Sequence, residues 1–161
     1  LALTLAACGG GGDSGGSASI RLVNLTSSNS SFDLADADDE KTLASGVAAD
    51  RGSERAEVGA GETSFELRRA GNDSAVVTAS WSLTKGLKYS AIAYGAEGSL
   101  KMAMLEEDED QPDAGKARLR LYNTSADSGT LDLYLTASDT ALEDASITTT
   151  VAASGATGFV T

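Results

Sequence analysis

Alternation of apolar and polar residues at every second position constrains this chain's fold more than any other feature. Val77, Ala79, Trp81 and Leu83 are separated by Thr78, Ser80 and Ser82. Phe65 and Leu67 sit between Ser64, Glu66 and Arg68. Leu100, Met102 and Met104 flank Lys101 and Ala103, Ile20 and Leu22 flank Arg21, and Phe32 and Leu34 flank Asp33. Successive side chains of a strand point to opposite faces, so each run is a strand with one dry and one wet face. Lys85-Gly86 and Gly95-Ala96-Glu97-Gly98 supply turns between such runs. No stretch holds a 3.6-residue period over three turns.

About seven short strands in some 90 residues predict an all-β fold: an antiparallel sandwich of immunoglobulin-like architecture. Trp81 and Phe65 fall on the apolar faces and are expected in its core. A repeat extends the reading. Ile20-Arg21-Leu22-Val23-Asn24 returns as Leu119-Arg120-Leu121-Tyr122-Asn123. Phe32-Asp33-Leu34 returns as Leu131-Asp132-Leu133, and Leu43 as Leu142. Every pair lies 99 residues apart, which points to two copies of one domain. The expected organisation is a first domain over 19–106, an acidic linker over 107–115 and a partial second copy over 116–161. The second copy is expected to hold about half of its strands and to be poorly covered.

Arg21 and Asp33, with Arg120 and Asp132 in matching places, sit on polar faces. A hairpin turning through Thr26 to Ser30 would make each pair diagonal cross-strand neighbours that fix the register.

Composition narrows the chemistry. The 161 residues carry a net charge of −12, which argues against nucleic acid and against attraction to anionic lipid surfaces. The chain has no histidine and a single cysteine. Ser-His-Asp catalysis, histidine-based zinc sites and an intrachain disulfide are therefore excluded. Carboxylates remain. Glu106-Glu107-Asp108-Glu109-Asp110 reads as the head of a solvated linker closed by Pro112 and Gly115. Asp36, Asp38, Asp39 and Glu40 form a second cluster, a candidate for calcium, although neither cluster has the spacing of a calcium-binding loop. Paired carboxylates would also suit a glycoside hydrolase. With eight aromatic residues in the chain, Tyr94 and Tyr122 are the rings to examine for carbohydrate.

The N-terminus supplies the most specific chemical signal. Leu5-Ala6-Ala7-Cys8 follows the uncharged run that begins at Leu1 and precedes four glycines. It resembles a bacterial lipobox: an apolar run, two small residues, then the cysteine that receives lipid. The resemblance implies that residues 1–8 are the remnant of a lipoprotein signal peptide, with a charged segment expected before them. It implies diacylation of Cys8, with palmitate-type chains and membrane anchoring. Gly9 after the cysteine implies the outer membrane. Residues 9–18 read as a flexible Gly/Ser tether; the eleven residues from Gly9 to Ser19 span roughly 18 Å.

The remaining segments resemble a bacterial family of tandem secreted domains, domain of unknown function 4397. Arg21-Leu22-Val23-Asn24 followed by Phe32-Asp33-Leu34 resembles its opening strands. Leu83-Thr84-Lys85-Gly86-Leu87-Lys88-Tyr89-Ser90-Ala91-Ile92-Ala93-Tyr94-Gly95 is similar to a segment late in the domain. Leu105-Glu106-Glu107-Asp108, Pro112 and Gly115 to Leu121 resemble the junction between copies. Where the family commonly has a histidine and a Ser-Pro-rich turn, this chain has Asn24 and Asn123. The family carries no established catalytic residue. The expected protein is thus a non-enzymatic, lipid-anchored envelope module that binds an envelope protein or glycan or serves as structure. A carbohydrate-binding or carbohydrate-active protein is the alternative. No cofactor is expected apart from the calcium candidate.

Overall fold

The computed structural model describes residues 15–28, 30–107, 111–125 and 127–161. The chain is all-β. The strands are β1 (Ser17–Thr26), β2 (Phe32–Asp36), β3 (Lys41–Val47), β4 (Arg51–Gly52), β5 (Ala56–Gly59), β6 (Gly61–Arg69), β7 (Ala75–Leu83), β8 (Lys88–Gly95), β9 (Lys101–Glu107), β10 (Leu131–Leu133) and β11 (Thr149–Val151). A single 3-10 turn spans Leu142–Asp144.

The alternation read from the sequence is the burial seen in the fold. In β7, Thr78, Ser80 and Ser82 are exposed while Val77, Ala79, Trp81 and Leu83 turn inward. Phe65 and Leu67 are fully buried, and the Phe65 and Trp81 rings meet 5.9 Å apart.

Two sheets share one core. β3, β2, β6 and β7 form one in that order, every pairing antiparallel. The other has the order β4-β1-β8-β9, with β5 continuing the edge that β4 begins. Ile20 and Leu22 of β1 and Tyr89, Ala91 and Ala93 of β8 face Phe32, Leu34, Phe65 and Leu67 of the opposite sheet. Fully burying a side chain of this size contributes about 1.5–3 kcal/mol.

Two expectations are corrected. The pairing is not antiparallel throughout: β1 and β8 run parallel from Ser19↔Lys88 to Thr26↔Gly95. Nor do β1 and β2 form a hairpin. Both edges of β1 are taken, by β8 on one side and by β4 and β5 on the other. The chain therefore leaves β1 and crosses to the other sheet. Arg21 and Asp33 end up apart: Arg21 bonds Ser90 and Glu107, whereas Asp33 accepts from the Gly46 N–H at 2.6 Å.

The crossing is fastened by Asn24, which is fully buried. Its amide donates to the carbonyls of Ser30 (3.1 Å) and Val47 (2.9 Å). Its Oδ1 accepts from the backbone N–H (3.2 Å) and hydroxyl (2.8 Å) of Thr26.

Residues 116–161 reproduce several of these bonds. Asn123 is buried, donates to the Gly129 carbonyl at 3.1 Å and accepts from the Ser125 N–H at 3.0 Å. The N–H of Leu22 donates to the Ser53 hydroxyl, and the N–H of Leu121 to the Thr157 hydroxyl, each at 3.0 Å. Ser53 and Thr157 return the bond to the carbonyls of Leu22 and Leu121. Phe32 pairs with Val47, and Leu131 with Val151. Asp50 and Ser154 both take a left-handed backbone, with φ of 58° and 55°.

Candidate functional site

The outer face of the β1-β8-β9 sheet carries a charged cluster and meets the following segment. Along β8, Tyr89, Ala91 and Ala93 point into the core, so alternation turns Ser90, Ile92 and Tyr94 outward. Ser90 begins a cluster. Glu107, the last residue of β9, receives Nη2 of Arg21 at 2.8 Å, the Ser90 hydroxyl and Nη2 of Arg55. Arg21 also donates through Nε to the Ser90 hydroxyl at 2.8 Å, and Arg55 to the Tyr89 carbonyl at 3.2 Å. Burial alone would raise the Glu107 carboxyl. The Ser90 hydroxyl and the Arg21 and Arg55 guanidiniums outweigh it and hold the group below the ordinary glutamate value. Glu107 was expected to open the solvated linker; it ends a strand and ties β1, β8 and β9 together. A carboxylate in an acidic run gives no sequence signal for this, because Arg21 arrives from β1 and Arg55 from the loop between β4 and β5, both distant along the chain.

Farther along the face, Tyr94 is 6% exposed and meets the Tyr122 ring edge-on at 5.9 Å. Burial and the neighbouring Tyr94 push the Tyr122 phenol well above its ordinary value. Beside this pair lies a cleft of about 510 Å³, lined by Leu25, Ser27, Tyr94, Lys101, Ser125 and Asp127 among others. It offers hydroxyls and one charge of each sign to a small polar ligand. Asp127 is the one carboxylate among the described residues that line it.

The other candidates are dispersed. Asp36 is buried, and its Oδ1 caps the backbone N–H groups of Asp38 (3.0 Å) and Asp39 (3.3 Å). Oδ2 of Asp38 accepts from the Ser64 N–H at 2.8 Å. With Glu40 exposed at a left-handed φ of 52°, these carboxylates hold a turn. Among the described residues, no three His, Cys, Asp or Glu side chains gather as metal ligands. Arg120 and Asp132 are also apart in role. Arg120 donates to the carbonyls of Glu106 (2.7 Å) and Thr157 (2.9 Å), and Asp132 is exposed on β10. Cys8 and the lipobox lie outside the described residues. Among the described residues, no helix is long and apolar enough to cross a membrane.

The model of the domain of unknown function DUF4397 matches residues 18–134. The chain belongs to this family. The DUF4397 match begins in β1, takes in both sheets and the Asn24 crossing, passes the acidic segment and ends just after β10. It therefore includes the Glu107 cluster and every residue named in the cleft. No curated protein matches the chain.

Proposed function

We propose that this chain is a non-enzymatic module of the bacterial cell envelope, anchored in the outer membrane by lipid on Cys8. It presents immunoglobulin-like β-sandwich units in tandem. The observation that carries the non-enzymatic reading is the use made of its carboxylates. Asp33, Asp36 and Asp38 accept backbone N–H groups, and Glu107 joins three strands. Groups committed in this way position chain; they are not poised to exchange protons with a substrate. The cleft beside Tyr94 has Asp127 as its carboxylate, whereas glycoside hydrolysis employs two. Tyr94 is buried against Tyr122 instead of open to a sugar ring, which favours the structural reading over the carbohydrate one.

The tandem reading draws support from the matched bonds of Asn24 and Asn123 and of Leu22 and Leu121. The first strand of each set lies 99 residues from its counterpart. The returning residues, Val47 and Val151 or Ser53 and Thr157, lie 104 apart, so the intervening loop is five residues longer in the second set. The DUF4397 match then takes in one unit and the opening strands of the next.

The anchor is tested by Cys8→Ser. Two acyl chains give stable membrane attachment and a thiol gives none. The variant is expected in the soluble fraction of cells with an unchanged melting temperature. Continued sedimentation of Cys8→Ser with membranes would sink the anchor.

A further inference from the structure

The two sheets of the β1–β9 body have four edges, and three of them carry devices that discourage pairing with another chain. β3 has Lys41 and an irregular register with β2. β4 and β5 are short pieces interrupted by Ser53, Glu54 and Arg55. β9 carries Lys101, Glu106 and Glu107. Charge, irregularity and short length all blunt a sheet edge. β7 lacks them over 77–83. That stretch holds no charge, no proline and no shift of register against β6. The bulge comes just before it, at Val76, since Arg68 pairs with Ala75 and Leu67 with Val77. Among the described residues, β6 is the one strand that pairs with β7. Packing agrees with this. Val77, Ala79 and Trp81 turn inward but are half-buried, whereas Phe65 and Leu67 on β6 are fully buried. Across from β7 on the same side of the body, Met102 and Met104 of β9 are half-buried too. The chain's one tryptophan and both its methionines therefore lie along one incompletely covered side.

We propose that β7 is a self-association edge whose occupant is β7 of a second copy, antiparallel across a two-fold axis at Ser80. The bulge sets the midpoint, because Ser80 is the centre of 77–83. An axis passing through a residue also keeps inward side chains beside inward ones, since a slip of one residue would turn every side chain to the other face. Ala79 then stands opposite the partner's Trp81, small against large, and Val77 opposite the partner's Leu83. On the wet face, Thr78 stands opposite the partner's Ser82, and Ser80 opposite the partner's Ser80. The ladder brings no two charges together, although each chain carries −12. Main-chain bonds supply affinity in such strand addition, and side chains of alternate positions supply the selection. The sequence of β7 is its own complement in this register, which singles out a second copy as the occupant.

Trp81 is the chain's one tryptophan, so its fluorescence reports on this edge alone. Sedimentation and Trp81 emission are followed together on the full chain as its concentration is raised. The expected result is a monomer–dimer equilibrium in which the emission moves to the blue as dimer forms, because the ring leaves water. Added salt is expected to tighten the dimer by screening the net charge of the two copies. Ser80 is exposed and its hydroxyl meets the Ser64 hydroxyl at 2.8 Å, so a charge placed there leaves the core untouched. Ser80→Lys and Ser80→Glu each set like charges opposite one another across the axis. Each variant alone is expected to keep the native circular dichroism spectrum and to associate about tenfold more weakly. An equal mixture of the two is expected to restore the dimer. A native chain that stays monomeric at the highest concentration would overturn the proposal. So would a dimer that both variants keep, a dimer that forms with no change in Trp81 emission, or a mixture that stays monomeric.

Discussion

At the scale of single residues, buried polar groups carry more of the fold than surface charge does. Asn24 has both ends of its amide satisfied in a dry site, and each bond reaches a different part of the crossing. Asn24→Ala leaves the Val47 and Ser30 carbonyls without their donor, and a lost buried partner costs about 1–3 kcal/mol. Urea denaturation is expected to give a loss of about 2–3 kcal/mol. A loss of a few tenths would show that the crossing holds without the amide. Glu107 acts through charge and so depends on pH. Its carboxyl is held below the ordinary value of 4.5, so its contribution is present above that pH and is lost as pH falls through the lowered folded value. Glu107→Gln is expected to cost about 1 kcal/mol near neutral pH, as partly exposed ion pairs do. That difference from the native chain should shrink as pH falls below 4.5 and through the lowered folded value. A constant difference across this range in denaturation curves would contradict the assignment.

At the scale of elements, the sequence states faces clearly and partners poorly. The period of two named the inward-facing side chains of β1, β2, β6, β7 and β9 because the facing of a half-wet strand is a local property. Which strand lies beside which was not legible. Ser19 to Thr26 carries the same alternation whether its neighbour is β2 in a hairpin or β8 in parallel. Long-range pairing chose the latter. The charged residues followed suit: the Arg21 and Asp33 pattern was visible, but the partners Ser90 and Gly46 depend on topology. The Asn24 motif left a trace in Asn123 and was read as a family departure instead of a buried staple. Turns were more readable. Gly95, the last residue of β8, has φ of 96°, and a Cβ there would stand 2.7 Å from the Ser99 carbonyl oxygen. Gly95→Ala must strain the turn or move the Ser99 backbone. A loss of about 1–3 kcal/mol is expected in thermal or urea unfolding. Native stability in Gly95→Ala would mean that the β8-β9 turn adopts another form.

At the scale of the whole molecule, Ser19, Lys88 and Glu107 form one row at one end of the sheet. The polypeptide enters the two-sheet body and leaves it from that same end. Tension applied between the start of β1 and the segment after β9 therefore pulls the row open sideways, one rung at a time. It does not slide whole strands past each other. Arg21, Ser90, Arg55 and Glu107 stand at the first rungs such a pull would meet. They form a clasp at the point of loading. In single-molecule pulling between the chain ends, Glu107→Gln is expected to lower the rupture force of the two-sheet body by more than its loss in equilibrium stability implies. A rupture force unchanged from the native chain would place the mechanical barrier elsewhere. With the clasp closed, the unit is a side branch on a loaded cord: it stays folded beside the line of force until the rungs at its base give way.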